Sequence, residues 1–406
     1  MPSLFFLFLL LSAGMAQGAV PQFFLPKTSL DPQDLAIIVN DNDPLSRQIG
    51  EYYQKRRNIP LANLIHVRFS PGATIMSQKE FTRIKAEVDR KSPKSIQAFA
   101  LTWAAPYRVA CMSITSAFTF GFNQEFCSHQ CGSTKTSPYF DSPSAAPYTD
   151  LKIRPTMSLA GLNLDQVKAL IDRGIATDGS HPPGTAYLLK TDDKSRNVRS
   201  TRYPAVMQEM ANLVEVQVVA SNFIKDKDDV LFYFTGMVTV PHLDTLKFLP
   251  GAIADHLTST GGQLTDSTQM SSLRWLEAGA TGSYGTVVEP CNHLAKFPSP
   301  AVVMYWYLAG NSLIEAYWKS VQRPGEGIFI GEPLAKPYGG FNVYQDKDDI
   351  VLRTQALPAG TYGLLSADSM VGPYRREPIS VTVHPGMNEL HFKNLDKAVY
   401  RLIRLS

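Results

Sequence analysis

Four short stretches of this chain carry side chains that could do chemistry if a fold gathers them. Ser259 stands in Asp255-His256-Leu257-Thr258-Ser259-Thr260-Gly261-Gly262. Its hydroxyl becomes a nucleophile when an imidazole takes its proton, and His256 or His242 could serve. The backbone N–H groups of Gly261 and Gly262 could then hold an oxyanion or a phosphate. The spacing is not a Gly-x-Ser-x-Gly elbow, and the same residues also make a Gly-rich turn whose hydroxyls, Thr258 among them, bond their own backbone.

Cys291, in Glu289-Pro290-Cys291-Asn292-His293, is the second candidate nucleophile. His293 is too near in sequence to form a productive dyad with it, so its base would be His242 or His256 from a neighbouring strand end. Glu289 and His293 are then left as ligand contacts. His242 follows Tyr233-Phe234-Thr235-Gly236-Met237 by five residues, and a loop folding back would bring it into play. The fourth stretch, Asn40-Asp41-Asn42-Asp43, offers oxygen ligands, with Asn40 and Asn42 as binding candidates; Asp43 before Pro44 is equally an ordinary helix cap. His256, His293 and a carboxylate at Asp255 or Glu289 lack the spacing of a zinc site. No metal and no cofactor is expected.

Such residues cooperate only if one structural rim collects them. The continuous apolar run Leu35 to Val39 suits a strand buried on both faces, and a helix capped by Asp43 follows, with Leu45, Ile49, Tyr52 and Tyr53 on one stripe. Leu64 to Val67, the capped helix from Ser77, and Ala98 to Trp103 repeat the alternation. Further strands are predicted at Ala186 to Leu189, Val216 to Val219, Val230 to Phe234, Ala252 to Leu257, Ala280 to Val288 and Ile328 to Ile330, with helices opened by Asn163 and Ser312. Strand and helix in turn imply an α/β fold: a doubly wound, mostly parallel sheet with helices on both faces. Ligands of such sheets bind beyond the carboxyl ends of the strands, which is where all four stretches fall. Residues 104–154 interrupt the pattern with proline, glycine and three cysteines and read as a long stapled loop. After Gly339 the segments become short, alternating and separated by Pro and Gly, which predicts a β-sandwich-like module over 339–406.

The ends and the composition set the remaining bounds. Met1 to Leu11 are almost wholly apolar and small residues follow at Ala13, Gly14, Ala16, Gly18 and Ala19, so residues 1–19 are expected to be a signal peptide. The expected location is therefore outside a bacterial cytoplasm, in the periplasm or the exterior, with no membrane span after cleavage. A formal net charge of +3 and the lack of a basic block argue against a nucleic-acid partner. Cys111, Cys127, Cys131 and Cys291 allow three pairings, and two disulfides are expected in an oxidising compartment.

Taken in order, Asp150-Leu151-Lys152-Ile153-Arg154-Pro155, Tyr233-Phe234-Thr235-Gly236 and Gly331-Glu332-Pro333-Leu334-Ala335 give residues 34–338 a family likeness. The chain resembles the gingipain-type branch of the caspase-like cysteine peptidases, and within it an uncharacterised family of bacterial exported proteins. The resemblance implies a caspase/gingipain-like α/β domain over 20–338 and a β-sandwich after it. It also implies a His after the Gly of the inner strand and a Cys ending the next strand. Met237 and Thr258 or Ser259 occupy those positions here, so the usual dyad is replaced. The expectation is an exported scaffold without standard cysteine-peptidase activity, acting in binding of a peptide or an envelope-protein ligand or in envelope assembly. The alternative is a diverged hydrolase using Ser259 or Cys291.

Overall fold

The computed structural model describes residues 20–128 and 131–406. The expected signal peptide lies outside the described residues.

Ten strands form one central sheet: β2 (Leu35–Asn40), β3 (Leu64–Val67), β5 (Ala98–Leu101), β8 (Thr156–Ser158), β9 (Thr185–Leu189), β10 (Glu215–Val219), β11 (Val230–Thr235), β12 (Phe248–His256), β13 (Gly282–Thr286) and β14 (Gly327–Gly331). Their order across the sheet is β10-β9-β11-β12-β13-β14-β8-β5-β2-β3. All neighbours run parallel except β13 and β14. A small sheet of β4 (Ile75–Met76), β6 (Arg108–Val109) and β7 (Met112–Ser113) sits apart from it.

Helices cover both faces, and strand parity shows why the runs are continuously apolar. Leu35, Ile37 and Val39 of β2 point into one core, with Ile49 and Tyr53 of α1 (Pro44–Arg57) and Val167 and Ile171 of α5 (Leu164–Ala176). Ala36 and Ile38 point into the other, with Phe81, Ile84 and Val88 of α2 (Gln78–Lys91). The first face also carries α6 (Tyr203–Met210), α8 (Pro300–Leu308) and α9 (Leu313–Ser320). The second carries α3 (Ile114–Phe120) and α7 (Leu273–Ala278). The caps form as the sequence predicts. Asp43 accepts from Leu45 N, Asn163 accepts from Gln166 N, and Ser312 with Glu315 closes a capping box.

Residues 104–154 are more ordered than a loop. They hold β6, β7, α3 and α4 (Pro147–Leu151), and Ile114, Ala117 and Phe118 of α3 are buried against β14 and β8. Cys111 pairs with Cys127 inside the segment, while Cys131 reaches out to Cys291.

The C-terminal strands β15 (Phe341–Asp346), β16 (Asp349–Thr354) and β19 (Asn388–Lys393) form one antiparallel sheet. A second sheet contains β17 (Gly360–Ala367), β18 (Arg375–Val383) and β20 (Val399–Arg404), joined at its edge by β1 (Gln22–Phe24) running parallel to β20. Leu352, Leu390 and Phe392 from the first sheet share a core with Tyr362, Leu364 and Leu402 from the second. Phe23 belongs to this core, so residues 22–24 depart from the expected 20–338 boundary. The reason is local: β20 offers an open edge that a three-residue strand can pair.

Candidate functional site

β11, β12 and β13 are neighbours, with Thr235 paired to His256, so the segments leaving their carboxyl ends meet along one rim. The rim gathers the expected stretches, but several of their polar groups are spent on neighbours other than a nucleophile. Trp275 donates its Nε1–H to His256 Nδ1 at 2.9 Å, and His256 Nε2 lies 3.1 Å from the Met270 carbonyl oxygen. The imidazole is therefore a donor at Nε2 and an acceptor at Nδ1, with neither nitrogen left for Ser259. Burial pushes its pKa down to about 3, so it stays neutral. Ser259 is half-buried and its hydroxyl makes no hydrogen bond among the described residues; its carbonyl accepts from Thr286 Oγ1 at 2.9 Å. His242 is exposed on a tight turn, its ring 4.6 Å from Phe223, and it bonds neither Ser259 nor Cys291. A base for the serine, as expected from His256 or His242, is not assembled.

Cys291 is a disulfide with Cys131, 5.6 Å between Cα atoms, so its sulfur is no thiolate and the expectation of a cysteine nucleophile is corrected. His293 and Glu289 brace that junction. His293 Nε2 lies 2.7 Å from the Cys131 carbonyl oxygen, and Glu289 Oε1 accepts from Cys291 N at 2.7 Å.

One of the two expected oxyanion donors is committed. Gly262 N donates to Thr286 O at 2.9 Å. A Cβ at Gly262 would lie 2.6 Å from Gly285 O, and one at Gly285 would lie 2.5 Å from the Gly261 carbonyl carbon. These glycines let two backbones touch. Thr258 Oγ1 donates to Gln269 Oε1 at 2.7 Å and accepts from Arg196 Nε at 3.1 Å. At the far side of the sheet Asn40 is a buried clamp: its Nδ2 donates to Phe69 O, and its Oδ1 accepts from Phe69 N and Asn42 N. Asn42 is exposed. Neither amide joins the rim, because β2 lies on the other side of β14 and β8.

Beneath the rim lies a buried ion pair that the sequence reading missed. Arg199 Nη1 is 2.6 Å from Asp255 Oδ1, and the two residues are 3% and 1% exposed. Burial raises the Asp255 pKa, and the Arg199 charge works against that rise. Arg199 Nη2 also donates to Thr235 O at 2.6 Å, tying the pair to the end of β11.

Arg199 also lines a cleft of about 510 Å³ between α6 and the first turn of α8. Phe140, Val206, Phe297 and Pro298 give it apolar walls, and Arg202 and Glu209 stand on its α6 side. The one signal for it in the sequence was the spacing of Arg196, Arg199 and Arg202. A 3₁₀ turn over Asn197–Arg202 repeats every three residues, so these side chains follow one another along one side. The first goes to Thr258, the second to Asp255 and the third to the cleft.

No protein-family model and no curated protein matches the chain. Among solved structures, it is similar to one described as a complex of Porphyromonas gingivalis RgpB pro- and mature domains, at 9% identity and a TM-score of 0.43, covering 90% of this chain and 94% of that one. It is also similar to one described as the structure of a protease, at 11% identity and a TM-score of 0.38, covering 93% of this chain and 98% of that one.

Proposed function

We propose that this chain is an exported bacterial protein that acts by binding, without cysteine-peptidase or serine-hydrolase chemistry. Its ligand is a peptide or an exposed segment of an envelope protein, held in the cleft between α6 and α8. Residues 20–338 supply the ligand-carrying domain, and residues 339–406 with the strand at 22–24 supply an accessory module. The observation that carries the reading is the state of His256. The imidazole at the end of β12 is neutral, buried, and hydrogen-bonded through both nitrogens. A general base needs a free lone pair within reach of the proton it removes. Two disulfides agree with an oxidising compartment, and no helix among the described residues is long and apolar enough to cross a membrane.

The test is active-site labelling of the folded, oxidised protein. A fluorophosphonate should leave Ser259 unmodified, and iodoacetamide should leave Cys291 unmodified until a reductant opens its disulfide. Fluorophosphonate labelling of Ser259 that disappears in His256→Gln or His242→Ala would overturn the reading in favour of a hydrolase.

A further inference from the structure

We infer that a small polar cavity beside α2 is a binding site for a tetrahedral oxyanion carrying two negative charges, a phosphate group being the form that fits it. It lies on the face of the sheet opposite α6 and α8 and does not rest on the reading of the cleft. The cavity holds about 230 Å³ and is lined by Lys85 and Asp89 of α2, by Tyr148 of α4, and by Lys152 and Arg154 just beyond α4. That is below the range of sites that enclose a whole drug-sized molecule, so it suits one charged group. Lys152 and Arg154 belong to the Asp150–Pro155 stretch that the sequence singled out and that the cleft leaves unused.

Arg154 carries the argument. It is 7% exposed, its guanidinium carbon lies 3.4 Å from the centre of the Tyr148 ring, and its Nε donates to Ile96 O at 2.9 Å. With Nε spent on the backbone, the Nη end is what remains for the cavity. Neither Nη nitrogen makes a hydrogen bond among the described residues, and neither is sealed from solvent as Arg199 Nε is. The nearest carboxylate does not serve them. Asp89 Oδ1 is 3.8 Å from Nη1, and both Asp89 oxygens already accept from Lys85 Nζ, at 2.7 and 2.6 Å. A guanidinium so deeply placed with its fork unused is uncommon, because charged donors are costly to leave unmatched. Burial accordingly lowers the Arg154 pKa, and Tyr148 and Asp89 offset only part of that.

Lys152 is the second, independent sign. It caps α4 in the left-handed conformation, φ 60° and ψ 27°, a position ordinarily given to glycine or asparagine. Its Nζ donates to Thr149 O at 2.9 Å and lies 6.0 Å from the centre of the Tyr148 ring, and it has no carboxylate partner among the described residues. The charges then select the ligand. Lys85, Lys152 and Arg154 share a single carboxylate in the cavity wall, Asp89, which leaves an excess of two positive charges. A carboxylate ligand would match half of it. A phosphate monoester, dianionic above about pH 6, matches it whole, and it offers two oxygens to the Arg154 fork while leaving a third for Lys152.

The experiment is calorimetric titration of the full oxidised chain, at about pH 8 and low salt, with inorganic phosphate, glycerol 3-phosphate, dimethyl phosphate and acetate. The first two should bind about tenfold tighter than dimethyl phosphate, which keeps the tetrahedral shape with one charge, and acetate should do no better than the diester. Lys152→Asn should lower the affinity for glycerol 3-phosphate about tenfold without lowering the melting temperature of the ligand-free protein, because asparagine tolerates the left-handed cap. Arg154→Lys, which keeps the charge and loses the fork, should lower it at least as much; if that variant does not fold, Lys152→Asn decides alone. Equal binding of monoester and diester, no binding of either, or an unchanged affinity in Lys152→Asn would overturn the inference. Sedimentation with phosphatidylcholine vesicles containing phosphatidic acid separates the sources of the group. Co-sedimentation that Lys152→Asn abolishes supports the site with a lipid headgroup as ligand, and soluble binding without co-sedimentation supports it with a free phosphate ester. Labelling of Ser259 would sink the binding reading of the cleft and leave this site standing, whereas failed phosphate titrations sink only this inference.

Discussion

At the ends of β11, β12 and β13 the Thr258 hydroxyl, the Gly262 amide and the His256 imidazole are bonded to their neighbours, while in the cleft a few residues away several donors are left over. Thr258 is held between Arg196 and Gln269, and Gly262 N–H meets Thr286 O. Ala301 N–H, Val302 N–H and the Arg202 guanidinium have no such partners among the described residues. The difference separates two uses of polar residues. Groups that satisfy each other fix a loop against a sheet; groups left unsatisfied beside open volume are available to something else. Serine, histidine and paired glycines near strand ends looked like chemistry in sequence because their types are those of catalysis. The fold gives His256 and Gly262 structural partners and gives the Ser259 hydroxyl none among the described residues.

Arg199 belongs to both regions, so removing it should break the comparison most severely. Arg199→Met leaves Asp255 buried at 1% exposure without its cation. Breaking a buried pair from one side costs about 3–5 kcal/mol, whereas replacing both partners is often close to neutral. Urea denaturation should therefore place Arg199→Met well below wild type and Arg199→Met/Asp255→Leu between them. If the single variant unfolds at the wild-type midpoint, the pair is not what joins rim to cleft.

How much of this was legible follows from distance along the chain. The parity of Leu35 to Val39 and the caps at Asp43, Asn163 and Ser312 are settled within a few residues, so they could be read directly. Helix α3 was hidden because its seven residues lie between cysteines, glycines and prolines that look like a loop. The strand at 22–24 is too short to show a period, and its partner in β20 lies at the far end of the chain. Which cysteine meets which was open for the same reason. Cys131 and Cys291 are 160 residues apart, and nothing local to either names the other. The cleft draws on segments around residues 140, 199, 297 and 322, and only the three-residue spacing of Arg196, Arg199 and Arg202 hinted at it.

A smaller effect sharpens the rim side of the comparison through pH. The folded-state pKa of His256 is depressed to about 3 from the ordinary 6.5. Below about pH 6.5 the unfolded chain takes up a proton that the native imidazole refuses. The contribution is thus whole above that pH, is lost as pH falls, and is exhausted once pH reaches the folded value. The slope approaches about 1.4 kcal/mol per pH unit. His256→Gln keeps an acceptor for Trp275 Nε1–H but does not titrate. Its unfolding free energy should fall by about 2 kcal/mol less than wild type between pH 6.5 and pH 5. Asp255, with its raised pKa, acts with the opposite sign and is present in both proteins. Parallel pH dependences would mean that the wild-type imidazole is solvated, and with it the argument that His256 is unavailable as a base would fail.

The smallest expected effect is the most pointed. Ser259 is half-buried, and its hydroxyl serves neither as donor nor as acceptor in any hydrogen bond among the described residues. The rim uses the Ser259 backbone, through the bond from Thr286 Oγ1 to its carbonyl, and alanine keeps that bond. Ser259→Ala should shift stability by no more than about 0.5 kcal/mol, as a substitution away from caps, cavities and networks does. Thr258→Ala provides the contrast one residue earlier. It removes a hydroxyl that both accepts from Arg196 and donates to Gln269, and should cost about 1–3 kcal/mol. Two adjacent hydroxyls with unequal costs are what a rim knitted by Thr258 requires. If Ser259→Ala were the costly one, the serine would have a partner that this geometry lacks, and the line drawn between the knitted rim and the open cleft would have to move.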